Sequence, residues 1–95
     1  MELHWAPQAK ADLDHIFSYV ANDDPRAAAQ LVERIIIAVE EQLLAMPEIG
    51  RPGRVPDTRE LVISGTPFIV PYRIVGDRIE VARVYHAARR WPDRF

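Results

Sequence analysis

Cysteine is absent from this chain, which excludes a disulfide framework, a thiolate metal site, an iron–sulfur cluster and a thiol nucleophile, and makes a reducing cytoplasm the expected compartment. Glycine occurs only 4 times, and nothing resembles a glycine-rich phosphate loop or a serine-hydrolase elbow. No apolar run approaches the length of a membrane span, and Met1-Glu2-Leu3-His4-Trp5 lacks the basic start and apolar core of a secretion signal. A cytosolic protein with no membrane partner is therefore expected. The 3 histidines include no pair at i, i+4, so neither a metal nor a cofactor is expected. A length of 95 residues leaves no room for a barrel or a dinucleotide-binding unit. What remains is one domain with a single core, 48% hydrophobic and 27% charged.

The net charge of −2 conceals an asymmetry. Residues 1–50 carry three cations (Lys10, Arg26, Arg34) against nine carboxylates, a net −6. Residues 51–95 carry nine cations against five carboxylates, a net +4, and all nine cations are arginine. Guanidinium suits bidentate contact with phosphate or carboxylate, so the second half reads as a surface for an anionic partner.

Glu2–Trp5 reads as a short strand. Pro7 suits a first helical position, and Leu13, Ile16, Phe17 and Val20 then recur at helical spacing as far as about Ala21. Asp24 is a candidate N-cap before Pro25, opening a second helix to about Met46, where Pro47 stops it. Its apolar set is Ala28, Val32, Ile35, Val39, Gln42 and Met46, with Gln42 the polar intruder and Leu31, Ile36, Leu43 and Leu44 alongside. So wide an apolar face predicts contact with the first helix, a sheet and another chain. Residues 47–57, with three prolines and two glycines, read as a loop. Three strands follow, at about Thr58–Ile63, Pro67–Ile74 and Arg78–Tyr85, joined by short glycine-bearing turns as an antiparallel meander. Alternation puts Phe68, Val70, Tyr72 and Ile74 on one face, and Ile79, Val81, Arg83 and Tyr85 on one face. Pro71 cannot donate to a ladder, so a bulge or an unpaired edge is expected there. Residues 87–95 form a short tail. The fold class is α+β.

Several segments, in this order, resemble the ParE/RelE superfamily of type II toxin–antitoxin toxins. They are Pro7 to Ile16 (Pro-Gln-Ala-Lys-Ala-Asp-Leu-Asp-His-Ile), Met46 to Arg54 (Met-Pro-Glu-Ile-Gly-Arg-Pro-Gly-Arg), Arg59-Glu60-Leu61, Tyr72-Arg73-Ile74, and Ile79 to His86 followed by Ala87-Ala88-Arg89-Arg90-Trp91-Pro92. The resemblance spans essentially the whole chain. It implies a compact toxin neutralised by a small antitoxin of ParD or RelB type, whose extended acidic segment wraps the toxin. ParE-like members poison DNA gyrase, whereas RelE-like members cut messenger RNA on the ribosome.

Cleavage of RNA through its 2′-hydroxyl needs proton-transfer groups and cations to hold phosphate charge. The candidates are His86 and Glu60 for the first task and Arg59, Arg73 and Arg83 for the second. If Tyr72 aligns with the tyrosine that ends the third-strand motif, the arginine of RNA-cleaving relatives falls near Ile69. Arg51 and Arg54 stand where RelE-like enzymes tend to have lysines. A gyrase-directed ParE-like toxin that is not an enzyme is the expectation, with a ribosome-dependent ribonuclease as the alternative. Each candidate also has a structural reading. His86 would fix the tail, and Arg73 and Arg83 would clamp internal carboxylates such as Glu60 or Glu80. Trp91, beside Arg89 and Arg90, would stack on a base or close one end of the core. Arg51, Arg54, Arg73, Arg83, Arg89, Arg90 and Trp91 are the expected antitoxin- or target-binding set. Operator DNA is expected to be reached only through the antitoxin, because a net −2 leaves no strong footprint for duplex DNA.

Overall fold

The computed structural model describes residues 1–95. The elements run β1 (Glu2–Trp5), α1 (Pro7–Ala21), α2 (Pro25–Ala45), β2 (Arg51–Pro52), β3 (Arg59–Val62), β4 (Phe68–Val75), β5 (Arg78–Val81) and β6 (Tyr85–His86). Proline opens both helices, where its missing N–H costs nothing. At the second, the Asp24 carboxylate accepts from the N–H groups of Arg26 and Ala27, both at 3.1 Å. No helix is long and apolar enough to cross a membrane.

The sheet order is β1-β5-β4-β3-β2, with β6 also paired to β4. The meander β3-β4-β5 is antiparallel as expected, but β1 joins β5 in parallel, so the sheet is mixed. The proline-rich segment is not wholly loop, because Arg51 and Pro52 pair with Glu60 and Arg59. Both helices pack on one face of the sheet. Ala9 and Leu13 from α1 and Ile35, Val39 and Leu43 from α2 meet Leu61, Val70, Tyr72, Ile79, Val81 and Val84 there. The buried row of α2 steps from Val39 to Leu43, which leaves Gln42 off the core and Met46 60% exposed. That resolves the polar intruder, since steps of four keep residues on one helix face.

Pro71 sits inside the central strand and is almost fully buried. Tyr72 pairs with Val81 and Ile69 with Tyr85, so between those anchors Val70 and Pro71 face three residues, Ala82, Arg83 and Val84. This is a bulge, and its extra residue splits the expected last strand into β5 and β6. The Pro71 carbonyl accepts from Ala82 N–H at 3.0 Å. A strand residue's nitrogen and carbonyl point the same way, so the missing N–H faces the bulge, where the ladder is interrupted anyway. The bulge also shifts the alternation. Ile79, Val81 and Val84 enter the core, while Arg83 and Tyr85, expected on that same face, leave it.

Candidate functional site

Glu60 on β3 is only 3% exposed. Its Oε1 accepts from Arg51 Nε and Nη2 at 3.1 and 3.0 Å and from Arg54 Nη2 at 3.2 Å. Its Oε2 accepts from the Arg54 backbone N–H and Nε at 2.9 and 3.1 Å. Burial alone would raise its pKa, but the backbone and side-chain bonds from Arg54 and the bond from Arg51 outweigh that and hold it below the usual 4.5. A carboxylate so stabilised is a poor proton acceptor. Arg59, its neighbour in sequence, points to the other face and donates to the Glu48 and Gly50 carbonyls at 3.1 and 2.9 Å. Tyr72 is fully buried, donating to the Pro47 carbonyl at 2.7 Å and accepting from Gly50 N–H at 2.9 Å. Desolvation raises its pKa above 10.0 against the lowering effect of the Gly50 bond, so the phenol stays neutral. Gly50 is required by this approach, since a Cβ there would lie 2.6 Å from the Tyr72 oxygen.

The carboxylate that holds Arg83 is neither Glu60 nor Glu80 but Asp12 of α1. Arg83 Nε donates to Asp12 Oδ2 at 2.8 Å, Nη2 donates to Oδ1 at 2.9 Å, and Val84 N–H donates to Oδ2 at 2.9 Å. The Asp12 bonds raise the Arg83 pKa further, against partial burial. Asp12 was legible in principle, because Ala9, Asp12, Leu13 and Ile16 share helical spacing and so place it on the buried side of α1. Arg73 lies 3.9 Å from Glu80, which Arg78 also approaches at 3.7 Å, in a half-exposed surface group. For Arg73, an internal carboxylate partner is therefore present.

His86 anchors the tail. Its Nδ1 accepts from Ala88 N–H at 3.1 Å and its ring meets Phe68 edge-on at 5.7 Å. Beyond it the tail folds back, with Trp91 and Phe95 packing on Tyr85 at ring separations of 5.0 and 5.9 Å. Arg54 stacks on Trp91 at 3.8 Å, and Arg83 and Arg89 both lie 4.6 Å from the Tyr85 ring centre. The Trp91 indole N–H is buried without an acceptor. The sequence-based set is thus not one constellation. Arg51, Glu60, Arg54 and Trp91 form one group, and Arg83, His86 and Arg89 another. Tyr85 links them, Arg73 lies apart, and Arg90 is exposed with no carboxylate within 4.0 Å. Tyr85 and Phe95 were missed as members, because only the tail's return places them there.

The profile described as "ParE toxin of type II toxin-antitoxin system, parDE" matches residues 3–91. The chain belongs to the ParE toxin family. This ParE-family toxin is 47% identical over 90 residues to the Y4kP protein of Sinorhizobium fredii, covering 95% of this chain and 92% of that one. It is 33% identical to toxin RelE2 of Caulobacter vibrioides (90% and 93% covered) and 32% identical to toxin RelE1 of the same organism (83% and 85% covered). Its fold matches a solved chromosomal ParDE toxin–antitoxin system from P. aeruginosa at TM-score 0.81 and 36% identity, covering 90% of this chain and 95% of that one. The RelBE2 complex of Mycobacterium tuberculosis shares the fold at TM-score 0.64 and 22% identity, with 93% and 92% covered. The α+β fold is thus that of ParE- and RelE-type toxins. In this family member the open sheet face, opposite the helices, carries the Glu60 group, while Leu44, Met46 and Ile49 leave apolar surface exposed around the end of α2.

Proposed function

We propose that this ParE-family toxin arrests growth in the cytoplasm by binding DNA gyrase, and that a small ParD/RelB-like antitoxin neutralises it. One observation carries the choice of gyrase over RNA cleavage: the acid–base and cationic groups a nuclease would use are engaged internally, apart from His86 Nε2 and the loosely paired Arg73. Glu60 is tied to two arginines, Arg59 to loop carbonyls and Arg83 to Asp12, while Tyr72 is sealed in the core. Ile69, near which the arginine of RNA-cleaving relatives falls, is 6% exposed and pairs with Tyr85. The likeness to a solved ParDE system supports the same reading. Purified toxin added to purified gyrase is expected to inhibit supercoiling and accumulate cleaved complex. Unaffected supercoiling with no cleaved complex would overturn the proposal.

The Caulobacter relatives named RelE favour the second reading, a ribosome-dependent endoribonuclease. Under it, primer extension on messenger RNA from expressing cells shows new ends within codons, and His86→Ala abolishes toxicity. The antitoxin's acidic, amphipathic segment is expected on the arginine-rich sheet and the apolar surface of α2, burying about 1,200 Å² or more. Charge reversal at Arg73 tests this without breaking the Asp12 clamp, which reversal at Arg83 would. Affinity should fall with salt, and equal affinity at low and high salt would contradict the electrostatic part. Operator DNA is reached through the antitoxin.

A further inference from the structure

A cleft of about 380 Å³ separates α1 from the end of the sheet, lined on one side by Gln8, Asp12 and His15 and on the other by Phe68, Arg83, His86 and Arg89. No residue of the Glu60 group lines it. We propose that this cleft binds a nucleoside monophosphate, free or as the phosphorylated end of a short RNA.

The argument rests on donors and acceptors. Asp12 is the only carboxylate in the lining, and both its oxygens are already occupied by Arg83 and Val84 N–H. The clamp fixes the Arg83 guanidinium and leaves its Nη1 unbonded. Arg89 has no carboxylate within 4.0 Å, and its guanidinium, 4.6 Å from the Tyr85 ring centre, donates no hydrogen bond within the chain, so its N–H groups are available. His86 accepts at Nδ1 from Ala88, so its ring proton resides on Nε2 as a further donor. His15 and the Gln8 amide complete a wall rich in donors. A ligand that fits must bring the acceptors, and two guanidiniums against one ring, only one of them paired, call for negative charge. The other requirement is shape. Phe68 and the edge-on His86 ring, with Ile16, form an apolar wall suited to a planar base, and the volume matches ordinary small-molecule sites. Phosphate plus planar ring defines the ligand class. The inference is independent of the gyrase proposal.

The test is a ¹H–¹⁵N NMR titration of the full chain with AMP, GMP, a 5′-phosphorylated diribonucleotide, adenosine and inorganic phosphate. Shifts are expected at Ala11, His15, Val84 and residues 87–89, saturating in the roughly millimolar range for AMP or GMP. Arg89→Ala and His15→Ala, both at exposed positions, should each weaken binding about tenfold, while Arg94→Ala, outside the cleft, leaves it unchanged. Equal affinity for AMP and the diribonucleotide identifies an RNA end as a ligand, and preference for AMP a free nucleotide. No shift at about 10 mM AMP overturns the proposal, as does adenosine binding as tightly as AMP. Inorganic phosphate binding as tightly as AMP overturns it too, since the ring would then contribute nothing. So do shifts centred on Arg73 and Arg78.

Discussion

Replacing Asp12 by alanine probes the contact that joins the acidic and basic halves of the chain. Asp12 is 9% exposed and takes three hydrogen bonds, two from Arg83 and one from the Val84 backbone. Removing one partner of a buried ion pair costs about 3–5 kcal/mol, because the other charge is left uncompensated. The Arg83 side chain is 19% exposed and can turn partly into water, while Val84 N–H, buried, loses its acceptor. A cost of about 2–4 kcal/mol follows, a large fraction of the roughly 5–10 kcal/mol a domain of this size possesses. Asp12→Asn, which keeps one acceptor oxygen, should cost less. The double variant Asp12→Ala with Arg83→Ala should cost clearly less than the two single variants added together, since no orphaned charge remains. Urea unfolding followed by circular dichroism gives all the values from one set of curves. A loss under about 1 kcal/mol for Asp12→Ala, or strict additivity in the cycle, would refute the reasoning.

Three further outcomes follow from the loop, the open face and the buried phenol. The folded-state pKa of Glu60 lies below its ordinary value of 4.5, so its contribution is complete above that pH and is lost as pH falls through the lower, folded-state value. Glu60→Gln should therefore lower the unfolding free energy at pH 7, read from urea curves, by about 1–2 kcal/mol after allowing for the half-exposed arginines, and flatten the acid limb of stability against pH. An unchanged acid limb would contradict the assignment. The Tyr72 phenol, with its pKa raised above 10.0, has the opposite sign. Its contribution is present below that pH and is lost as pH rises past it, and Tyr72→Phe should cost about 1–2 kcal/mol and remove that alkaline dependence. Gly50→Ala, by pushing against the same phenol, should be at least as destabilising, and a neutral result in thermal melts would show that the loop simply moves.

Much of the architecture was legible because it is local. The helix starts at Pro7 and Asp24-Pro25, the stop at Pro47 and the glycine-bearing turns are decided by the conformational limits of single residues. That the ladder breaks at Pro71 was legible for the same reason, since proline has no N–H to give, and the structure chose the bulge over the unpaired edge. The site was less legible. Which of its residues meet was not foreseen: Arg83 found Asp12, Glu60 drew Arg51 and Arg54, and Arg59 turned to loop carbonyls.

By itself the sequence determined the α+β order of elements and the opposed charges of its halves, because periodicity, punctuation and composition act over short stretches of chain, while the family came from the resemblance of its motifs. Only the tertiary structure decided the parallel docking of β1 on β5, the change of face after Val81, and the pairing of each arginine. A guanidinium takes whichever carboxylate the packing brings within about 3 Å, and Asp12 and Arg83, 71 residues apart, meet only when α1 lies across the bulge.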